Sequence, residues 1–417
     1  MKKLKKLLRY IGPGFITGAS DDDPSGIGTY SQTGAQFGYQ LLWTSLFSFP
    51  FMSAVQEMCG RIGLVTGNGL ASVMKKYYSR PVLYFMVIIL LVANTINIGA
   101  DLGAMASAVQ LITGIRFEIL LLLITVITLL MEVFISYKTY SKYLKYLTFS
   151  LFSYIIAVFV IKQDWSHVAT ATIMPTFTWS RDYILTIVAI LGTTISPYLF
   201  FWQADEEVEE EVAHHKLRIM GIGKPHINRN DIKVMRIDTL MGMFFSNIVM
   251  FFIITTTAST LHLNNITTIN TAQEAAETLK PIAGNFASLL FTLGIIGTGL
   301  LAVPVLAGSA SYAISESLGW KEGLYRKFNR AHGFYGVISI ATIMGLAINF
   351  INIPPFRMLY YTAVLNGICA PPLLIMILLI ANNKQIMGKY VNSRLLNVLG
   401  ITITFLMILA ALAVLLF

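Results

Sequence analysis

The chain has 417 residues, 55% hydrophobic and 12% charged, and its mean hydropathy is +0.68. That is about half the charge fraction of a soluble globular protein, which excludes a water-soluble enzyme or carrier and leaves an integral membrane protein. The net charge of +9 invites a nucleic-acid reading, which the placement of the basic residues removes.

In chain order, the N-terminal MKKLKKLLRYIGPG is basic and lacks the sustained apolar stretch of a cleavable signal. Hydropathy then predicts spans near 41–67, 81–110, 117–137, 146–163, 182–204, 236–260, 286–314, 332–352, 356–381 and 396–416. Such runs approach the ~20 apolar residues of a membrane helix and are too long for barrel strands of roughly 9 to 11 residues. Cys59 and Cys369 stand far apart in apolar surroundings and read as small buried hydrophobes, not a disulfide or metal pair.

Basic residues mark cytoplasmic segments. Lys2 to Arg9 put the N-terminus inside, and Lys75, Lys76 and Arg80, beyond the first apparent span, also read as inside. One crossing cannot join two inside segments. A further span must therefore lie in "YIGPGFITGASDDDPSGIGTYSQTG". With it the assignment alternates throughout. All but five of the 30 basic residues (Arg116, Lys162, Arg181, Lys280 and Arg357) fall inside. The expectation is about eleven helices, N-terminus cytoplasmic and C-terminus extracellular, in a prokaryotic plasma membrane.

The first span carries charge, proline and glycine, so its backbone must be satisfied by something other than lipid. Its counterpart is the sixth span, "YILTIVAILGTTISPYLFFWQADEEVEEE", with Gly192, Thr193, Thr194 and Pro197 near its middle. Pro197 lacks an N–H and frees a carbonyl a turn upstream, near Thr193. Spans 1–5 and 6–10 then form halves of opposite orientation, each opening with an interrupted helix. That pattern is the sequence pointer to a transporter binding site.

An ionisable group at the bilayer centre costs roughly 2.5 to 3.5 kcal/mol on insertion scales. Asp21, Asp22 and Asp23 cannot share one face, because successive helical residues diverge by about 100°. Asp23, beside the break, is expected to face a central cavity, with Asp22 or Asp21 toward a watery vestibule or a buried partner. A cation offsets such charge, and hard oxygen donors suit Mg²⁺, Mn²⁺ or Ca²⁺. Asp101 in span 3 is a proton relay, a supporting partner or a satisfied structural acid. Asp205 to Glu211 read as a solvated helix end or as a cation attractor at the inner mouth, and Asn366 precedes a Pro-Pro break in span 10.

Three stretches carry a resemblance. "GPGFITGASDDDPSG…TGAQFGYQLLW", "ADLGAMASAVQLITG" and "AETLKPIAGNFASLLFTLGIIGTG" resemble segments of the natural resistance-associated macrophage protein (Nramp) transporters, in a divergent branch. The resemblance covers most of the chain and implies an all-α, LeuT-type 5+5 inverted repeat with helices 1 and 6 unwound at the midplane, and divalent-metal transport. The family's Asp-Pro-Gly-Asn reads here Asp23-Pro24-Ser25-Gly26, so the Asp is kept and the Asn ligand becomes Gly26. Its Met-Pro-His reads Ser196-Pro197-Tyr198. A second family histidine aligns with Gln203, a ligating carbonyl with Thr193, and a family Glu near Asp101 with Ala104.

The metal set implied is thus Asp23, Asp22, Ser196, Thr193, Gly26 and Ser20, with Asp101, Gln203 and Tyr198 along a vestibule or proton route. Exchange of a thioether for a hydroxyl leaves oxygen donors and more room, which suits a partly hydrated hard cation. Loss of both histidines and the Glu removes much of the family's proton route, so coupling is expected to be weak or absent. The metal is substrate, no cofactor is expected, and the protein is expected to be a monomer in the lipid bilayer. One transporter domain spans 1–417, with a first repeat at 1–163, an inverted repeat at 181–381 and an extra span at 393–417.

Three rival readings remain. The ordinary family type is a proton-coupled iron and manganese importer. An intramembrane aspartyl protease would place two close acids in helices, but its Gly-x-Gly-Asp motif is broken here, where Ile98 and Ala100 flank Gly99. An amino-acid carrier on the same fold would offer amides to a carboxylate, not three aspartates.

Overall fold

The computed structural model describes residues 12–135, 151–161, 163–351 and 353–416. The basic residues before Gly12, then Lys138, Lys142, Lys145 and Lys162, and the first part of the 146–163 span lie outside the described residues.

The expected first span is two helices, α1 (Pro13–Asp21) and α2 (Pro24–Phe37). After them come α3 (Trp43–Thr66), α4 (Leu70–Tyr77), α5 (Arg80–Thr113), α6 (Phe117–Phe134), α7 (Phe152–Val160) and α8 (Trp165–Ile173). The second interrupted span is α9 (Arg181–Thr194) and α10 (Pro197–Ala213). The long α11 (Arg229–Thr260) follows, then short α12 (Ala272–Glu277) and α13 (Lys280–Ala283) in the loop before the next long helix. The chain continues through α14 (Ala287–Leu318), α15 (His332–Ile348), α16 (Pro355–Asn382) and α17 (Lys384–Met387) to α18 (Arg394–Leu416). The described residues contain no named strand, only an isolated bridge between Ile219 and Ile222.

Among the described residues, seven helical segments are long and apolar enough to cross a bilayer unaided. The broken α1–α2 pair is not among them, and neither is α3, which carries Glu57 and Arg61. Such elements are tolerated because they are wrapped by protein. The whole α1–α2 break is buried, whereas Ile119, Leu122, Leu123 and Phe134 of α6 and Leu395, Val398 and Phe405 of α18 are exposed where lipid would lie.

Close helix crossings hold the broken segments. A Cβ on Gly18 of α1 would stand 2.2 Å from the Gly242 carbonyl carbon of α11. A Cβ on Gly192 of α9 would stand 2.0 Å from the Ala363 carbonyl oxygen of α16. Both are far inside contact distance, so a glycine is what allows the backbones to meet. Each broken half is thereby pinned to a continuous partner.

α16 differs from the sequence expectation. Pro371 and Pro372 sit inside an uninterrupted helix, so the Pro-Pro pair does not break span 10. Each proline removes one ladder bond, and the remaining bonds and buried packing of Leu373, Leu374 and Ile377 carry the helix through.

Candidate metal centre

Both interruptions have one local cause. A residue before proline is pushed out of the α region toward extended backbone, and proline itself fits the first helical position, where no donor is needed. Asp23, before Pro24, has φ −67° and ψ 171°. Ser196, before Pro197, has φ −81° and ψ 134°. Each therefore begins a new helix in mid-membrane, with the ends of four half-helices in the protein interior.

Asp23 is fully buried and held from three directions. Its Oδ1 accepts from the Ser25 hydroxyl at 2.6 Å and from the Gly26 N–H at 2.7 Å, capping α2. Its Oδ2 accepts from the Asn97 amide of α5 at 3.1 Å. An ionised carboxylate offers about four acceptor positions. Three are used, so one lone pair of Oδ2 remains for a further partner.

Asp21 and Asp22 face elsewhere. The Ser246 hydroxyl of α11 lies within hydrogen-bond distance of Asp21 Oδ2, at 2.5 Å, and of Asp22 Oδ1, at 3.3 Å. Asp101 is buried beside the start of α2, close enough for its charge to be felt with that of Asp23. Asp21 Oδ1, Asp22 Oδ2, Asn97 Oδ1 and both oxygens of Asp101 are buried without a hydrogen-bond partner. All of these are acceptors. Buried acceptors without donors are costly, and a cation is the ligand class that relieves several at once.

At the second break the expected donors engage one another. The Ser196 hydroxyl donates to the Gly192 carbonyl at 2.8 Å and to the Thr193 carbonyl at 2.7 Å. The carbonyl that Pro197 frees is thus met by the adjacent side chain, and each oxygen keeps a second lone pair. Gly26 faces this break, since a Cβ there would lie 3.3 Å from the Thr193 hydroxyl and 3.2 Å from the Asp21 carbonyl. The Tyr198 hydroxyl donates to the Ser20 carbonyl at 3.0 Å, tying α10 to the last turn of α1. The Ser20 hydroxyl itself donates to Ile16 O at 2.9 Å.

Gln203 lies further along α10 and donates to Glu207 at 2.9 Å. The structure thus gathers Asp23, Asp101, Gly26, Thr193 and Ser196 around the facing breaks, with Ser20 and Tyr198 at their edge and Gln203 apart. Among the described residues no group of three or more His, Cys, Asp or Glu converges as a metal cage. Four buried carboxyl groups stand at the first break, Asp21, Asp22, Asp23 and Asp101, and the second break adds only neutral oxygens.

Asn97, Ser25 and Ser246 were not singled out from the sequence. Asn97 precedes Asp101 by four residues, one helical turn on the same face, and that spacing is the signal that could have found it.

Of the two readings of the acidic run on α10, the solvated end does not hold. Asp205, Glu207 and Glu211 are buried. Glu209 accepts from the Tyr312 hydroxyl and the Leu324 N–H, each at 2.6 Å. Glu316 of α14 caps α4 by accepting from Gly69 N at 2.8 Å and Ser72 N at 2.9 Å. In the loop after α14, burial pushes the Glu322 carboxyl up to about 9; the charge of Glu316 adds to the shift, and Arg326 and Lys75 oppose it.

The family profile described as natural resistance-associated macrophage protein-like (Nramp) matches residues 14–417. The chain is 30% identical to the divalent metal cation transporter MntH of Clostridium acetobutylicum, over 98% of this chain and 90% of that protein. It is 25% identical to the MntH of Caldanaerobacter subterraneus subsp. tengcongensis, over 98% and 93%. In fold it is similar to the crystal structure of the Eremococcus coleocola manganese transporter, with a TM-score of 0.74 at 16% identity, covering 99% of this chain and 86% of that one. It is also similar to Mhp1, a nucleobase-cation-symport-1 family transporter, with a TM-score of 0.60 at 13% identity, covering 97% and 92%.

Proposed function

The chain belongs to the natural resistance-associated macrophage protein-like (Nramp) family, and from that premise we propose that it carries divalent metal cations by alternating access, with Mg²⁺ and Mn²⁺ as its principal ions. It is a multi-pass membrane transporter and not an enzyme. The observation that carries the reading is the set of buried carboxyl and amide oxygens at the first break that have no hydrogen-bond partner.

The donors at the breaks are hard. Asp23 Oδ2 supplies the charge, the Thr193 carbonyl and the Ser196 hydroxyl supply neutral oxygens, and Asn97 orients Asp23 through its amide. Mg²⁺ dehydrates reluctantly, keeps several waters and binds through one or two carboxylates. A site with one principal carboxylate and many hydrogen-bonding oxygens matches an ion that brings part of its hydration shell. Asp22 helps by adding negative potential from the α11 side. Thioether and imidazole, which favour softer metals, are absent at Ser196 and Tyr198.

Transport is weakly or not at all coupled to protons, and the ion gradient and membrane potential drive uptake. Tyr198 and Gln203 stand where the family has imidazoles. Tyr198 is committed to the Ser20 carbonyl and Gln203 to Glu207, so neither offers a relay that titrates near neutral pH. The N-terminus is cytoplasmic and the C-terminus extracellular in a bacterial plasma membrane. The protein works as a monomer in one transporter domain, with repeats at 1–163 and 181–381 and an added span at 393–417.

The test is Mg²⁺ and Mn²⁺ uptake into proteoliposomes with a lumenal pH dye. Uptake of both ions without matching acidification is expected. Acidification in fixed stoichiometry with the metal would replace this reading by a proton-coupled iron and manganese importer.

A further inference from the structure

A second acidic site lies on the side of the protein that the basic residues assign to the cytoplasm. A cavity of about 190 Å³ opens between the end of α10, the first turns of α11 and the entry to α1. Glu207 and Glu211 of α10 and Asp238 of α11 line it, and all three are buried. Glu210, half-buried, lies at its rim.

Among the described residues, the charges lining this cavity do not balance. Lys216 is committed to Asp231 at 2.7 Å, and His214 contacts Glu210 at 3.3 Å. Asp238 accepts from the backbone N–H groups of Gly12, Gly14 and Phe15 at 2.9, 2.7 and 3.2 Å, which caps α1. Glu207 takes one amide bond from Gln203. Glu211 is 2% exposed, and neither of its side-chain oxygens has a hydrogen-bond partner. Glu207 and Glu211 are four apart on one helical face, where like charges repel by roughly 0.2–0.5 kcal/mol even in the open. A buried, unpaired carboxylate costs far more. Among the described residues, five acidic side chains line the cavity (Glu207, Glu210, Glu211, Asp231 and Asp238) against Lys216 and His214, so it holds surplus negative charge and room.

We propose that this cavity is a second divalent-cation site, filled from the cytoplasm by a hydrated Mg²⁺- or Mn²⁺-class ion. Its size admits an ion that keeps much of its water shell, as hard divalent ions do. The carboxylates come from α10 and α11 beside the capped start of α1, so an ion there bridges these three elements. A filled site fixes these three elements relative to one another and so links the internal divalent-cation level to the transport cycle. The site is distinct from the central one. Glu207 and Glu211 lie 10 and 14 residues beyond Pro197 on α10, roughly 15 and 21 Å along the helix at ~1.5 Å per residue. The inference does not depend on which ion the central site prefers.

The experiment is calorimetric titration of the full chain with Mn²⁺. Wild type is expected to bind two equivalents, and Asp23→Ala one. Asp23→Ala combined with Glu207→Gln and Glu211→Gln is expected to bind none, with the melting temperature confirming the fold. Should that triple variant not fold, Asp23→Ala with Glu211→Gln alone is expected to weaken the remaining equivalent at least tenfold. Loss of all binding in Asp23→Ala, or a remaining equivalent unmoved by the Gln substitutions, overturns the second site. Two equivalents surviving in Asp23→Ala would instead refute the central-site reading.

Discussion

At the first break the residue before proline is Asp23, whose carboxylate reaches forward to cap the helix that follows. At the second it is Ser196, whose hydroxyl turns back to the carbonyls of the helix that precedes it. One backbone device, an X–Pro step in mid-membrane, is thus used in two chemical ways. The first break carries the negative charge and is fixed by Ser25, Gly26 and Asn97. The second carries no charge and offers neutral oxygens already engaged in their own hydrogen bonds. On the proposed reading, the first half anchors the ion electrostatically, and the second sets the size and hardness of the space beside it.

The largest test of that division removes the anchor. Asp23→Ala is expected to abolish uptake, with metal affinity falling about a hundredfold or more, equivalent to ~2.8 kcal/mol. Loss of the cap costs a further ~1 kcal/mol of stability. Calorimetry and a melting curve on the same preparation separate the two. An Asp23→Ala protein that transports normally would leave the asymmetry between the breaks without meaning.

Ser196→Met probes the other break and acts on selectivity. A thioether in place of the hydroxyl favours soft metals, so Mg²⁺ affinity is expected to fall roughly tenfold, ~1.4 kcal/mol, while Cd²⁺ affinity rises. Competition of Cd²⁺ against Mg²⁺ uptake reads the change, and a uniform loss for both ions would mean that Ser196 only shapes the helix.

Asn97→Ala should weaken metal binding about tenfold with little change in ion ranking, because groups that orient a ligand typically contribute 10- to 100-fold. A changed ranking would place the Asn97 oxygen in contact with the ion. The smallest effect is expected from Tyr198→Phe, which removes one neutral hydrogen bond to Ser20. The melting point should drop by the equivalent of ~1 kcal/mol, with uptake unchanged between pH 6 and 8. A new pH dependence would reveal a proton path through this residue.

Much of this arrangement was legible in the chain because it follows from one-dimensional rules. Charge parity forces a span into residues 10–34, and X–Pro chemistry puts the breaks at Asp23 and Ser196. Side-chain direction was not legible. Nothing in three consecutive aspartates says that Asp21 and Asp22 turn to Ser246 while Asp23 turns to Asn97, because that choice is set by which helices pack on each side. The second break hid its internal bonding for a similar reason, since a serine before proline can cap forward or bond backward. The solvated reading of the acidic run on α10 fails because hydropathy registers charge and not the helices that cover it. Asp205 is fully buried by tertiary packing alone. α16 shows the limit of a local rule, since two prolines that would stop an isolated helix are carried through by buried neighbours.

The most direct test of the oxygen-only account is calorimetric titration of the purified full-length protein with Mg²⁺, Mn²⁺, Fe²⁺ and Ca²⁺ under one set of conditions. The account predicts that Mg²⁺ and Mn²⁺ both bind, within about tenfold of one another (~1.4 kcal/mol), and that Asp23→Ala removes the central equivalent for both. Binding of Fe²⁺ with no detectable Mg²⁺ binding would contradict it.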